Sequence, residues 1–195
     1  MLKVLLRALD ERVLFPARTN YLIDKLTPHL REHSSVLDFG ASDGRLAYHL
    51  QSQLDCIFTC CDVYPQEKQF VPVVKFDGDV LPFEDSSFDC VMLIDVLHHD
   101  SQPEKVLAEA VRVARSTVLV KDHIWATRLD FFGLKVMDYI GNAPYGISLP
   151  YNYLTADQWY QMAADLQLTI AAEERYRYNL IDPCRHITLR LNKSG

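Results

Sequence analysis

An α/β protein with a parallel sheet covered on both faces is what this chain of 195 residues predicts. Three observations lead there. Short, nearly continuous apolar runs alternate with amphipathic helical stretches, the pattern of strands buried on both faces. The first such run passes through a glycine-bearing turn into a helix. Acidic residues then stand at the C-terminal ends of successive strands, where open sheets of this kind bind ligands.

The elements follow in order. Leu2, Leu5, Leu6, Leu9 and Val13 fall at helical spacing, so a first amphipathic helix is expected, either packed on the domain or covering a site. Pro16 is expected to end it, and a second helix to run from Thr19 to about Glu32. Strands are predicted at Ser35 to Phe39, Cys56 to Cys61, Val71 to Phe76, Phe88 to Ile94 and Thr117 to Lys121, the third edge-like because of Pro72. Helices fill Gly44 to Leu54 and Glu104 to Ala114. Residues 124 to 160 hold nine of the 21 aromatics but only five charged side chains, together with several glycines and prolines, and read as part helix and part irregular loop. Thr155, with Gln158 three residues on, has the form of a capping box for a helix to Leu166. Strands at Leu168 to Tyr176 and Arg185 to Leu191 close the chain; the latter alternates, as an antiparallel edge would.

Composition narrows the function classes. The length suits one domain: N-terminal helices over 1–33, then a domain over 34–195 that carries the aromatic insertion 124–154. An apolar content of 49% excludes disorder. Lys plus Arg number 20 against 26 Asp plus Glu, a net charge of −6, which argues against nucleic acid as a partner. No apolar run approaches the roughly 20 residues of a membrane span. Arg7, Asp10, Glu11 and Arg12 interrupt any signal-peptide core. Cys56, Cys60, Cys61, Cys90 and Cys184 are odd in number with no CxxC pair, so free thiols and a cytoplasmic location are expected.

The most informative stretch is Val36-Leu-Asp-Phe-Gly-Ala-Ser-Asp-Gly44. Glycines in such a turn let backbone approach a ligand, and the following helix start offers free N–H groups. A nicotinamide-type GxGxxG fails, because Ser42 and Arg45 stand where it needs glycines. Asp62 follows the second strand, 22 residues after Gly40, where a carboxylate can accept both ribose hydroxyls. Asp77 follows the third strand and Asp95 the fourth. Each acid alone is equally a surface loop residue or a helix cap.

Together these residues resemble the class I S-adenosylmethionine-dependent methyltransferases. Asp38, Gly40 and Gly44 match D-x-G-x-G-x-G, and Asp62 matches the acid after strand two. Asp77-Gly-Asp-Val-Leu81-Pro82-Phe83 through Phe88-Asp89 matches D-x-x-x-L-P-F-x-x-x-x-F-D. The run Asp95-Val-Leu97-His98-His99 is similar to the subgroup that contains the ubiquinone-biosynthesis methyltransferases. The resemblance covers about Val36 to Lys121. It implies a three-layer α/β/α Rossmann-like sheet of seven strands with the last antiparallel. It further implies S-adenosylmethionine as cofactor, leaving as S-adenosylhomocysteine. Asp38, Gly40, Ala41 and Gly44 would hold the methionine end, Asp62 and Val63 the ribose, and Asp77 and Gly78 the adenine, with Asp95 also at the cofactor. Two departures stand out: Ser42 replaces a family glycine, and the usual Gly-Gly turn before strand five is absent.

Methyl transfer requires alignment and exclusion of water, and a base only where the nucleophile is still protonated. His98 and His99 after strand four, and Asp122 and His123 after strand five, are candidates; His98-His99 reads equally as a helix-start packing motif. Asn142, Tyr145, Tyr151 and Tyr153 are candidate contacts to a small-molecule acceptor, against the plainer reading that these aromatics pack the insertion onto the core. His29-Leu-Arg-Glu32-His33 matches H-x-x-E-H, but reads as a solvated helix end, and no metal is expected. Methyl transfer to a small-molecule acceptor is the leading expectation. The alternatives are a non-catalytic methyltransferase-like binding module, a nicotinamide oxidoreductase, and a protein or RNA methyltransferase.

Overall fold

The structure, a computed structural model, describes residues 15–142, 149–179 and 182–194. The N-terminal helix expected over Leu2 to Val13 and the candidate Tyr145 lie outside the described residues. The elements run α1 (Phe15–Leu30), β1 (Ser35–Phe39), α2 (Arg45–Gln51), β2 (Ile57–Asp62), β3 (Val73–Lys75) and β4 (Phe88–Ile94). They continue with a 3-10 turn (Leu97–His99), α3 (Pro103–Val113), β5 (Ala114–Ile124), α4 (Arg128–Asn142), α5 (Ala156–Asp165), β6 (Leu168–Tyr176) and β7 (Arg185–Lys193).

The seven strands form one sheet in the order β3-β2-β1-β4-β5-β7-β6. The first five are parallel, and β7 runs antiparallel to both β5 and β6. Alternation along the strands divides the core. Val36, Cys90, Met92 and Leu119 face α1 and α2 with Leu22, Ile23, Leu26, Leu30 and Leu50. Leu37, Val91, Leu93, Val118 and Val120 face α3 and α5 with Leu107, Ala110, Val113, Trp159 and Met162. Truncating a side chain such as Leu26, fully buried in the first layer, carries a cost of about 2–5 kcal/mol. The expected α/β/α layering is therefore what the chain adopts, and strand order reverses between β1 and β4, the place where such sheets bind ligands.

Three expectations are corrected. The helix expected from Thr19 begins earlier, at Phe15, with Pro16 in its first turn, where the missing N–H would be unpaired in any case. The strand closing the chain is not an edge: β7 is sandwiched between β5 and β6, with His186 and Thr188 buried alongside Ile187 and Leu189, so the alternation seen in its sequence is one of polarity and not of burial. And β5 extends to Ile124, beyond the expected Lys121, so that Asp122 and His123 sit within the strand and not in a loop after it. The missing Gly-Gly turn has a simple counterpart, because α3 passes directly into β5 at Ala114.

The thiols behave as small hydrophobes. All five cysteines are free and buried, and burial pushes the Cys61 thiol up to about 12, far from a reactive thiolate.

Candidate functional site

Two different constructions meet at the C-terminal edge of the sheet. The first is the turn between β1 and α2. Gly40 takes φ 86° and Gly44 φ 71°, a region costly to residues with a Cβ. Space is closed to a side chain as well: a Cβ on Gly40 would lie 2.4 Å from Val96 Cγ2, and one on Gly44 2.5 Å from Val71 Cγ2. Ser42 adopts φ 53°, which explains why a glycine suits that position in the related pattern. Its N–H donates to Asp62 at 2.7 Å, as does that of Tyr64 at 2.7 Å. Asp62 is thereby fixed at the end of β2, with one donor on each carboxylate oxygen and lone pairs left on both.

The turn spends more of its N–H groups internally than its sequence suggests. Gly40 and Ala41 both donate to the Cys61 carbonyl, Gly44 to that of Ala41, and Arg45 N–H to the Asp43 side chain. The turn is thus a rigid wall, and its charge is its main offer to a ligand. Asp38 is 2% exposed, and burial, with Asp62 and Asp43 nearby, pushes its carboxyl up to about 8. Such a group gains from a cation arriving beside it. Asp77 and Gly78 follow β3, where Asp77 accepts the Asp79 N–H at 3.1 Å and Gly78 packs beside Val63.

The second construction joins β4, β5, α1 and α4. Asp95, at φ 57° just beyond β4, is held by the buried Lys121 ammonium at 2.5 and 2.8 Å and by the Arg18 guanidinium of α1. Burial would raise the Asp95 carboxyl, but Lys121, Arg18 and the neighbouring histidines hold it well below the usual range. Both of its oxygens are engaged within the protein. Asp122, on β5, accepts His98 Nδ1–H at 2.6 Å and the N–H groups of Leu97 and His98 at 3.1 and 3.4 Å. Burial pulls the His98 imidazole down, yet Asp122, Asp95 and Asp138 together raise it. His123 goes the other way, lowered by burial against a weaker pull from Asp95.

Of the candidate acceptor residues, Tyr153 is 5% exposed and donates its hydroxyl to Asp138 at 2.6 Å. With Leu134 and Cys184, and packed on by Trp125, Phe131 and Tyr151, it forms a satellite core under α4. Tyr151 is half-buried at φ 57° with Lys135 over its ring. Asn142 closes α4, and its side chain lies outside the described residues. The His99 ring lies tilted against that of His98, with centroids 4.0 Å apart. In the H-x-x-E-H run, His29 faces Glu174 at 3.9 Å and His33 faces Glu32 at 3.8 Å.

Sequence reasoning passed over Arg18, Lys121 and Asp138. For Lys121 a signal existed, a single cation ending the apolar run Thr-Val-Leu-Val. Arg18 and Asp138 lie on helix faces like any other charged residue, and only the fold brings them to Asp95 and His98.

Comparison with known proteins agrees with this fold. Residues 37–120 match the family model described as "Methyltransferase domain". Among curated proteins none matches significantly. Of solved structures, the Burkholderia thailandensis 1,6-didemethyltoxoflavin-N1-methyltransferase with bound 1,6-didemethyltoxoflavin and S-adenosylhomocysteine is similar at 16% identity and TM-score 0.70, over 95% of this chain and 83% of that one. A SAM-dependent methyltransferase from Thermotoga maritima is similar at 18% identity and TM-score 0.67, over 100% of both chains. A chain from the complex of the Haloferax volcanii Trm112 methyltransferase activator with a methyltransferase is similar at 15% identity and TM-score 0.66, over 95% of this chain and 97% of that one. The chain has the Rossmann-like fold of methyltransferases, and residues 37–120 carry the methyltransferase-domain pattern.

Proposed function

We propose that the protein transfers a methyl group from S-adenosylmethionine to a small-molecule acceptor. The observation that carries this is the buried Asp38 beside the Gly40 turn and Asp62, at the point where strand order reverses. The residues present fit the cofactor: a close-packed turn that a Cβ would fill, a dry carboxyl poised to meet a cation, and an anchored carboxylate with lone pairs to spare. When bound, the cofactor supplies an activated methyl group on a cationic sulfonium. Asp38 and the turn 40–44 then hold the cationic end, Asp62 with Val63 the ribose diol, and Asp77 with Gly78 the base. Asp95 acts from behind, fixing β4 against β5 rather than meeting the cofactor directly.

The acceptor side is the wall of His98, His99 and His123 with Tyr151 and Tyr153. An acceptor that arrives protonated needs a proton acceptor, and we assign that role to this histidine wall. The related toxoflavin enzyme, with a small heterocycle and S-adenosylhomocysteine bound, supports a small acceptor. The Trm112 complex keeps a protein activator in view as a partner. Leu81-Pro82-Phe83 supports placement near the ubiquinone-biosynthesis type. Among the described residues no helix is long and apolar enough to cross a membrane.

Calorimetric titration with S-adenosylmethionine and S-adenosylhomocysteine tests the reading. Micromolar binding of both, lost in Asp62→Ala, is expected; a folded protein that binds neither would overturn it. Binding without methylation of any acceptor in a metabolite screen would favour the non-catalytic module.

A further inference from the structure

We propose that a cleft beside the acceptor wall binds an oxyanion, a carboxylate or phosphate group carried by the small-molecule acceptor. The cleft holds about 530 Å³, within the span of small-molecule sites. It lies where the C-terminal end of β5, the start of α5 and the facing ends of β6 and β7 meet. Among the described residues, three arginines line it, Arg175, Arg177 and Arg185, against one carboxylate, Asp157. In a chain of net charge −6, that local excess of cations stands out. Two contacts tie the cleft to the acceptor wall: the His186 ring lies 4.8 Å from that of His123, and Trp125 Nε1–H donates to the Tyr153 carbonyl at 3.0 Å.

The arginines differ in how well they are matched. Arg175 has a carboxylate to itself, donating from Nε to Glu173 at 2.6 Å. Arg177 and Arg185 instead share one oxygen of Asp130, at 3.6 and 3.2 Å. The other oxygen of Asp130 accepts the N–H groups of Ala126 and Thr127 at 3.3 and 3.0 Å. One carboxylate thus serves two guanidinium groups and the entry to α4, and neither arginine has a two-pronged partner. Arg177 also donates to the Asp182 carbonyl at 2.6 Å, while the Asp182 carboxylate is spent on Tyr178, Cys184 and His186. Arg185 reaches Asp130 through Nε, which leaves its two Nη groups for a ligand on a side chain 48% exposed. A guanidinium is a planar fork that matches carboxylate and phosphate. The start of α5 adds charge of the same sign. Its capping box uses the N–H groups of Thr155 and Gln158, so those of Ala156 and Asp157 remain at the positive end of the helix. His186 is a separate sign of unmet demand. It lines the cleft at 2% exposure, with Nε2 on Asp182 at 3.0 Å, and its Nδ1 has no hydrogen-bond partner among the described residues. A buried polar atom left in this way is uncommon, and a ligand in the cleft supplies a partner for it.

Oxyanion binding stands on these contacts alone; its use by an acceptor rests on the proposed methyl transfer. The test is a titration of nitrogen-15-labelled, full-length protein with sodium phosphate and, separately, sodium benzoate, at an ionic strength held constant with sodium chloride. The indole N–H signals report, because Trp125 lines the cleft and Trp159 lies in the core; Trp125→Phe assigns them. The Trp125 signal should move saturably with phosphate or benzoate while that of Trp159 stays, and the probe that saturates tells phosphate from carboxylate recognition. Arg185→Gln and Arg177→Gln should each weaken binding about tenfold, the worth of one charge-assisted hydrogen bond. Arg31→Gln, outside the cleft, should change nothing. Arg185 is half-exposed, so Arg185→Gln keeps the test valid if Arg177→Gln folds poorly. Arginines that merely brace the chain would give variants of lower stability and no saturable shift. S-adenosylhomocysteine calorimetry on the same samples reports separately on the cofactor site, so failure of methyl transfer and failure of the cleft are distinguishable. A Trp125 signal that neither probe saturates, or a shift that survives both substitutions, would overturn the proposal.

Discussion

The edge of the sheet on the β1–β2–β3 side and the edge on the β4–β5 side are built on opposite principles. On the first, three short local segments present acids and a turn whose donors are spent within the turn itself or on the next strand. On the second, the chief partners lie far apart in sequence: Arg18 and Lys121 meet Asp95, Asp122 meets His98, and Tyr153 meets Asp138. The first edge is a rigid mould with an unmet electrostatic demand at Asp38. The second is a cross-braced wall in which charge is already compensated. A mould can be damaged by one added methyl group, whereas a braced wall is damaged by removing one charge and repaired by removing its partner.

The largest expected effect lies on the braced side. Lys121→Met strips Asp95 of its most buried partner and should destabilise the protein by about 3–5 kcal/mol in urea denaturation, the cost of breaking a buried pair. Adding Asp95→Asn should recover most of the loss, since replacing both partners is often close to neutral. If the double variant is no better than the single, Asp95 is not the group that Lys121 compensates. Next comes the mould. Gly40→Ala forces a Cβ to within 2.4 Å of Val96 at φ 86°, a strain of about 1–3 kcal/mol. It should cut S-adenosylmethionine affinity at least tenfold with a small loss of stability. Val96→Ala in the same chain should restore only part of it, because the backbone strain remains.

The contrast also explains what the sequence made legible. Ser35 to Phe39, the glycine turn, Asp62, Asp77 and the Phe88 to Ile94 strand could be placed because each is a local pattern whose physics lies within a few residues. β5 was expected over Thr117 to Lys121, six residues short of the observed Ala114–Ile124, because Arg115, Ser116, Asp122 and His123 are polar; Arg115 and Ser116 meet Asp89 and Asp122 meets His98, contacts that no window of sequence contains. β7 looked like an exposed edge from its alternating polarity; that His186 and Thr188 are buried follows only from its place between β5 and β6. Tyr153 stood out as an aromatic in an irregular segment, but its tie to Asp138 on α4 depended on how 128–142 folds back.

A smaller effect separates the two edges by pH. Asp38 is raised to about 8 in the free protein, against an ordinary carboxyl value of about 3.9. The folded state therefore binds more protons than the unfolded state between those values. This group's contribution to stability is fully present below pH 4 and is lost as the pH rises to about 8. A cationic ligand has the reverse preference. S-adenosylmethionine affinity should rise with pH up to about 8, by at most about tenfold per unit, with a proton released on binding that calorimetry in buffers of different ionisation enthalpy detects. Asp38→Asn should flatten the slope. A wild-type affinity indifferent to pH would show that the cation does not meet this carboxyl, and the mould would lose its electrostatic half.

The smallest effect serves as the internal reference for the comparison. The capping box of α5 is local, like the mould: Thr155 Oγ1 accepts the Gln158 N–H at 3.3 Å and Gln158 Oε1 accepts the Thr155 N–H at 2.8 Å. Yet it belongs to neither edge's charge system. Thr155→Ala should cost about 1 kcal/mol of stability, seen as a shift in the urea midpoint with unchanged slope, and leave cofactor affinity and its pH dependence untouched. Local order and ligand binding would then be separable in this fold, since α5 packs through Trp159 and Met162 on the face of the sheet and not on its edge. Should Thr155→Ala also weaken S-adenosylmethionine binding, strain would be passing through the sheet from α5 to the β1 turn, and the mould could no longer be treated as a self-contained unit.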